Sequence, residues 1–411
     1  MSEPKKPLRR PLEGVKVLDF THGVAGPYTA MLLGDMGAEV IKIEYPRRGD
    51  STRYMNVAER FATEIPKAGG DYFLAISRNK KSVCIDFKKP EGVALCKRLA
   101  RWADIALQNF RPGVMKRLGL DYAALRAENP RLLYGNLSAY GLSGPLADKA
   151  GMDVAVQARS GVMLLTGAVG SKEPVRPGAS IADFAGGVYL YAAVATALYD
   201  RERTGEGHEI DVSLIDATMS MLINYSVAVM DGHAELKPVG SGHPQLCPYQ
   251  AFPTADGYVV IGAGTNKVYR ELCACLGRPE LGTDPRFHSN EDRVRHREAL
   301  IPLLEPLFSA RTTAQWLDMF DQADIPSAPV NDMATAFHEL QTVSPDMLCE
   351  INHPVTGPLH LLGVPFRYRT MQGDVRMPPP CLGEHTDAVL GEVLGLDSAE
   401  LARLKEQKVI G

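Results

Sequence analysis

Apolar positions along this chain change period several times. At 14 to 20, "GVKVLDF" is a short β-branched apolar run with no in/out alternation, the pattern of a strand covered on both faces and so of a parallel sheet. "THGVAGP" follows as a turn, "YTAMLLGDMGA" returns to helical spacing, and "EVIKIE" at 39 to 44 is a second short run. Strand, loop, helix and strand thus fall within about 30 residues, a Rossmann-like opening. The alternation continues with a strand at 81 to 87, a helix from Pro90 to about Trp102, a strand at 104 to 110, and another within 131 to 141. These elements predict an α/β fold whose large domain is a Rossmann-like parallel sheet.

Beyond residue 151 the pattern is less regular until "FAGGVYLYAAVATALYDRERTG", a long apolar helix closed by Arg and Gly, and "HEIDVSLIDATMSML", a strand and a helix. Residues 232 to 250 are rich in Gly, Pro and His without periodicity, which predicts a loop and a domain boundary. The expected division is a disordered leader at 1–13, a first part of the large domain at 14–225, a smaller α+β domain with linkers at 226–335, and a return to the large domain at 336–411.

Length and composition bound the rest. The 411 residues, 45% hydrophobic and 23% charged, are ordinary for a globular protein with a large core. Lys plus Arg (45) against Asp plus Glu (49) gives a net charge of -4, so no nucleic-acid partner is expected. "MSEPKKPLRRPLEG" is followed by no apolar signal region, and no apolar run of about 18 residues is expected anywhere, so no membrane partner and a cytoplasmic location are expected. The seven cysteines are odd in number and mostly lie in apolar stretches, the look of buried reduced thiols. The close pair in "ELCACLG" is C-x-C rather than a zinc knuckle, so no metal is expected.

Candidate chemistry gathers in the loops after strands. In "THGVAGP" the glycines Gly23 and Gly26 do not make G-x-G-x-x-G, which leaves a tight turn, a phosphate-bearing ligand and a dinucleotide as open readings. Basic residues recur after the strands: Arg47, Arg48 and Arg53, then Arg78, Lys80 and Lys81, then Arg111 and Arg117. In an open α/β sheet such loops converge on the ligand crevice, so the set suits a phosphate-rich ligand. Asp183, in "GASIADFAGG", falls between an apparent strand and the long helix, where it is either an ordinary N-cap or an ionised carboxylate available as a nucleophile. His243 in "GSGHPQL" is either a turn-stabilising residue or part of a mobile lid at 240–247, and His22 is equally open.

Taken in series, "PLEGVKVLDFTHGVAGPYTAMLLGDMGAEVIKIE", "GDSTR", "NKKS", "NFRPGVMKRLGL", "NPRLLYGNLSAYG", "ADFAGG" and "LGEHT" resemble the class III CoA-transferases, the CaiB/BaiF family, over nearly the whole chain. The resemblance implies an obligate homodimer of two interlocked chains. It implies Asp183 as nucleophile, and coenzyme A contacts at Val24, Ala25, Lys88, Asn109, Phe110, Arg111, Arg117 and the segment ending at Met152 and Asp153. Formyl-CoA transferases carry an Arg directly after the strand-ending Glu; this chain has Tyr45, with Arg47 or Arg48 to substitute. "GSGHPQLCPYQAF" replaces their glycine-run lid and looks like the branch acting on succinyl-CoA and C4 to C6 dicarboxylates, glutarate included.

That resemblance implies transfer through a mixed anhydride and an aspartyl-CoA thioester, with coenzyme A as substrate and no prosthetic group. Amides at the helix start and near Gly186 and Gly187 are expected to hold the oxyanion, and Arg53, Arg78 or Arg176 to clamp a second carboxylate. Three rivals are a 2-methylacyl-CoA racemase, a non-catalytic acyl-CoA binding protein and an NAD-dependent oxidoreductase. The racemases that this family includes place a His where this chain has Met152, and a thioether carries no proton.

Overall fold

The structure, a computed structural model, describes residues 8–56 and 68–411, in two compact units. The first comprises Met1–Ser160, Pro177–Gly232 and Gln341–Gly411. Its centre is a six-stranded parallel sheet in the order β3-β2-β1-β4-β5-β6. The strands are β1 (Lys16–Asp19), β2 (Glu39–Glu44), β3 (Lys80–Cys84), β4 (Ile105–Gln108), β5 (Leu133–Ser138) and β6 (Glu209–Ser213). This is the doubly wound order, in which the strand sequence reverses between β1 and β4 and a crevice opens at their carboxyl ends.

The unalternating apolar runs arise because both faces of this sheet are covered. Leu18, Ile41, Ile43, Val83 and Ala106 enter one core, with Leu95 and Leu99 of helix α1 (Pro90–Trp102). Their neighbours Val17, Val40, Ile105, Leu107 and Leu133 enter the other, with Leu190, Val194 and Leu198 of helix α2 (Ile181–Thr204). Over one 18-residue window α2 has a mean hydropathy of 1.5, enough by length and composition to cross a membrane, which corrects the expectation that no apolar run of about 18 residues occurs. Leu190, Val194 and Leu198 are spaced at i, i+4 and i+8, the stripe of a helix laid on a sheet.

Those runs also conceal charge. Lys42 pairs with Asp50 at 2.9 Å, and Lys80 with Asp19 at 3.3 Å. Arg53 grips Glu44 with two bonds of 2.8 and 2.7 Å and lies 3.6 Å above the Phe73 ring. Arg78 binds both oxygens of Asp35, at 2.9 and 2.7 Å. All eight groups are buried. This corrects the expectation that Arg53, Arg78 and Lys80 face a ligand: their charges are neutralised inside the fold, so neither Arg53 nor Arg78 is placed to clamp a substrate carboxylate. A buried cation without a partner is too costly to persist, which is why each has one.

Part of the segment expected to be a disordered leader belongs to the described fold. Residues 1–7 lie outside the described residues, but Arg10 forms an ion pair with Asp374 at 2.8 Å and Leu12 donates its amide to the Met36 carbonyl at 2.9 Å, so residues 8–13 are held in place.

The second unit comprises Gly161–Arg176 and His233–Leu340. Residues 161–176, left with the large domain by the sequence pattern, group here. Strands Tyr249–Pro253, Tyr258–Gly262 and Ser327–Pro329 form an antiparallel sheet over a core where Phe252 stacks on Phe308 at 4.3 Å. The 240–247 segment is a built turn. His243 accepts the Gln245 amide on Nδ1 at 3.1 Å, Arg297 donates to the Leu246 carbonyl at 3.0 Å, and the buried Arg293 donates to the Cys247 carbonyl at 2.7 Å. Of the two readings open for His243, the turn-stabilising one matches these bonds. Arg176, the third clamp candidate, is an exposed residue of this unit.

Candidate active site

Asp183 is the third residue of α2, half-buried, so it is not the helix cap. No strand precedes it: residues 166 to 180 form turns and coil up to the N-cap Ser180, whose side chain makes no capping bond. The cap comes from elsewhere in the chain. Asp153 accepts the Ala182 amide at 3.0 Å and the Asp183 amide at 3.4 Å on one carboxylate oxygen, and the Gln157 side-chain amide at 2.7 Å on the other. Asp153, expected to touch coenzyme A, thus commits one oxygen to the helix start and the other to Gln157.

An accounting of amides redirects the oxyanion question. Ile181 donates to the Ala179 carbonyl at 2.9 Å and Phe184 to that of Ser180 at 3.0 Å, so with Asp153 the whole first turn is taken up. Gly186 and Gly187 lie inside the helix, where each amide bonds the carbonyl four residues back. Neither the helix start nor these glycines is available to an oxyanion, contrary to expectation. What the glycines supply is close packing: a Cβ on Gly187 would stand 2.8 Å from the Ala25 carbonyl oxygen, and one on Gly186 would strike Leu214.

That contact brings in a second helix, Ala25–Asp35, which follows β1. Thr29 donates to the Gly187 carbonyl at 2.9 Å, and the rings of Tyr28 and Phe184 meet edge to face at 5.1 Å. Asp183 is one turn, about 6 Å along the axis, ahead of Gly187, so it stands near the start of this second helix. There the amides of Val24, Ala25 and Gly26 meet no acceptor among the described residues, and Val24 has no capping side chain. Open first-turn amides carry the positive end of the helix dipole and attract anions. Between the two helix starts lies a cavity of about 400 Å³, lined by Val24, Asp71, Tyr72, Ile76, Ser180 and Phe184 among others.

The loop presenting those amides is rigidly held. Lys42 donates to the Thr21 carbonyl at 2.7 Å, Lys80 to the Pro27 carbonyl at 2.8 Å, and Asp50 accepts the Gly23 amide at 3.1 Å. Burial would lower the Lys42 pKa, but Asp50, Asp19 and Glu44 outweigh it and hold the ammonium above its usual range. Asn109 accepts the His22 amide at 2.9 Å and donates to the His22 carbonyl at 2.7 Å, and the Phe110 ring lies 4.7 Å from that of His22. Crowding by protein pushes the His22 pKa down, so its ring is neutral at pH 7. Sequence reasoning missed Asp50 and Lys42, although a lysine inside "EVIKIE" is itself a signal that a buried anion is needed.

Of the remaining predicted cations, Lys81 is half-buried and pairs with Glu39 at 2.7 Å, and the others stay in solvent. Arg47 and Arg48 follow β2, Lys88 follows β3, and Arg111 and Arg117 follow β4; all five are exposed. Lys88 rests its ammonium 5.1 Å over the Tyr45 ring, which joins the β2 and β3 loops at the sheet's carboxyl edge. Met152, 70% exposed, is the N-cap of the short helix that begins at Asp153. The predicted residues therefore separate into a cluster at the two helix starts (Val24, Ala25 and Asp183, braced by Asn109, Phe110 and Asp153) and an exposed row of cations along the same edge of the sheet.

Residues 12–386 match the profile described as CoA-transferase family III. The chain is 38% identical over 395 residues to the succinyl-CoA:glutarate CoA-transferase of Mus musculus, covering 96% of this chain and 89% of that one. It is 37% identical over 401 residues to the Homo sapiens enzyme of the same name, covering 98% and 90%. Among solved structures, a CAIB/BAIF family protein from Brucella suis superposes with a TM-score of 0.82 at 34% identity, covering 94% of this chain and all of that one.

Proposed function

The chain belongs to CoA-transferase family III and is a CoA-transferase, and from that we propose that it moves CoA from succinyl-CoA to a C4 to C6 dicarboxylic acid through a thioester on Asp183. The observation that carries this reading is the placement of Asp183, a half-buried carboxylate in a helix's first turn, between Ser180 and Phe184, which line one cavity together with Val24 at the open start of a second helix. Asp183 attacks the acyl carbon of the thioester and CoA leaves as the thiolate, giving a mixed anhydride. The thiolate then attacks the Asp183 carbonyl, expelling the first acid as its carboxylate; the acceptor acid runs the two steps in reverse. The Val24, Ala25 and Gly26 amides are the donors in reach of the developing oxyanion, and one good donor is worth about 3 to 4 kcal/mol. The phosphates of CoA are assigned to Arg47, Arg48, Lys88, Arg111 and Arg117.

The substrate reading is supported by the relatives named for succinyl-CoA and glutarate. A panel of succinyl-CoA with glutarate, malate, mesaconate, itaconate, formate and acetate, read by mass spectrometry of the CoA esters, tests it. Dicarboxylates should be esterified at least tenfold faster than the monocarboxylates, since a site that pairs a second carboxylate gains at least 1.4 kcal/mol. Exclusive turnover of formate or acetate would overturn the dicarboxylate assignment.

We also infer that the active form is an interlocked homodimer. Helix α3 (Ile223–Met230) buries none of its residues: Ile223, Val227 and Met230, at i, i+4 and i+7, are 72%, 68% and 68% exposed. An apolar stripe of that kind is a surface awaiting cover. Val227→Glu should lower the sedimentation mass from two chains to one, or yield insoluble protein, with loss of activity. A wild-type protein that sediments as a fully active monomer would defeat the inference.

A further inference from the structure

We propose that Asp153 is a positioning residue for the nucleophile: it caps the helix that carries Asp183 and holds a fixed negative charge beside it, which favours passage of the Asp183 charge into the covalent intermediate. The inference rests on the assignment of Asp183 above. Asp153 is 8% exposed and Gln157, one turn further along the same helix, is fully buried. One Asp153 oxygen serves the Ala182 and Asp183 amides and the other is fixed by Gln157 at 2.7 Å, so the carboxylate is held at both ends. Ser180, the local N-cap, makes no capping bond, and the task passes to a charged side chain about 30 residues away.

A neutral oxygen would satisfy those amides as well, since Asn caps helices about as well as Asp. The charge adds something distinct. In forming the intermediate, the Asp183 oxygen bonds to the acyl carbon as the carbon–sulfur bond breaks, and the electron pair leaves on the CoA sulfur. The thiolate next bonds to the Asp183 carbonyl carbon as the bond to the acyl oxygen breaks, and the acid departs with the charge. No proton moves. Asp183 goes from an anion to a neutral thioester, so a second anion bonded to the amides of that first turn disfavours the starting state and leaves the product state almost untouched.

The test uses full-length Asp153→Asn, Asp153→Ala and Gln157→Met with succinyl-CoA. In Asp153→Asn, the equilibrium fraction of protein carrying CoA at fixed succinate and kcat should each fall on the order of tenfold, with KM for succinyl-CoA and the melting temperature close to wild type. Asp153→Ala loses the cap as well, and kcat should fall about a hundredfold through misplacement of the first turn. Gln157→Met keeps the charge but frees one oxygen, and kcat should fall by less than in the Ala variant at unchanged KM. If Asp153→Asn matches wild type in adduct and kcat, the charge has no role and the proposal fails. A rise in KM at constant kcat would make Asp153 a CoA contact instead. A wild-type enzyme with no CoA adduct would overturn the Asp183 assignment first, and this inference with it.

Discussion

Asp183→Ala is expected to lose turnover by about four orders of magnitude, the cost of removing a nucleophile that acts as a unit with its oxyanion donors, while still binding CoA. Binding survives because the exposed cations assigned to the phosphates, Arg47, Lys88 and Arg111 among them, follow β2, β3 and β4 and do not depend on α2. Folding survives because Asp183 is half-buried and the cap of its helix is Asp153; a first-turn acid adds about 0.3 to 1 kcal/mol through the helix dipole. Asp183→Glu extends the carboxylate by one methylene and should cost about a hundredfold. Initial rates, CoA titration by calorimetry, and intact mass after incubation with succinyl-CoA measure the three properties separately. An Asp183→Ala protein that retains a tenth of wild-type turnover would remove the covalent mechanism. The same variant separates the transferase from an acyl-CoA binding protein, in which loss of this carboxylate would have no consequence.

Local pattern made much of the large unit legible. The run "EVIKIE" coincides with β2, and Pro90 at the first helical position with the start of α1, because each is set by a hydrophobic period or a stereochemical start that lies within a few residues. The proposal of Asp183 as nucleophile rests on a resemblance spread over the chain, not on its immediate sequence surroundings. What stayed hidden is nonlocal. The apolar runs gave no sign that Arg53 would turn inward to Glu44, nor that Asp153 would reach the amides of Ala182 and Asp183, since partners that are distant in sequence or on separate elements leave no periodic trace. "FAGG" looked like a place for close ligand approach, and Gly187 is instead where the Ala25 backbone comes within reach of a Cβ. Both readings demand glycine, and only the neighbour across the gap tells them apart.

Arg53→Met is expected to destabilise the protein by about 3 to 5 kcal/mol, the usual cost of leaving one member of a buried ion pair alone. Glu44, 3% exposed, would then keep the Asp50 amide at 2.9 Å and the Ser82 hydroxyl at 2.6 Å as partners but lose both guanidinium bonds. Adding Glu44→Gln removes the stranded charge and should recover part of the loss, a non-additivity that a double-mutant cycle reads directly. The pH dependence follows from the same groups. Burial alone would raise the Glu44 and Asp50 pKa values; Arg53 with Lys42 and Ser82 outweighs it for Glu44, and Lys42 with the Thr52 hydrogen bonds for Asp50, so both end below the ordinary carboxyl range. A carboxyl depressed in the folded state contributes stability that is present above its unfolded value, near pH 4, and is lost as pH falls toward the folded one. Lys80 runs the other way: burial, only partly offset by Asp19, brings it to about 8. Its penalty is in force below that value and is relieved as pH rises from about 8 toward the unfolded value, near 10.4. Melting temperature followed by circular dichroism should therefore fall steeply below pH 4 in the wild type. The fall should be shallower in the Arg53→Met, Glu44→Gln pair, where Glu44 no longer titrates. Identical acid profiles for the two proteins would show that the acid lability comes from groups other than this pair.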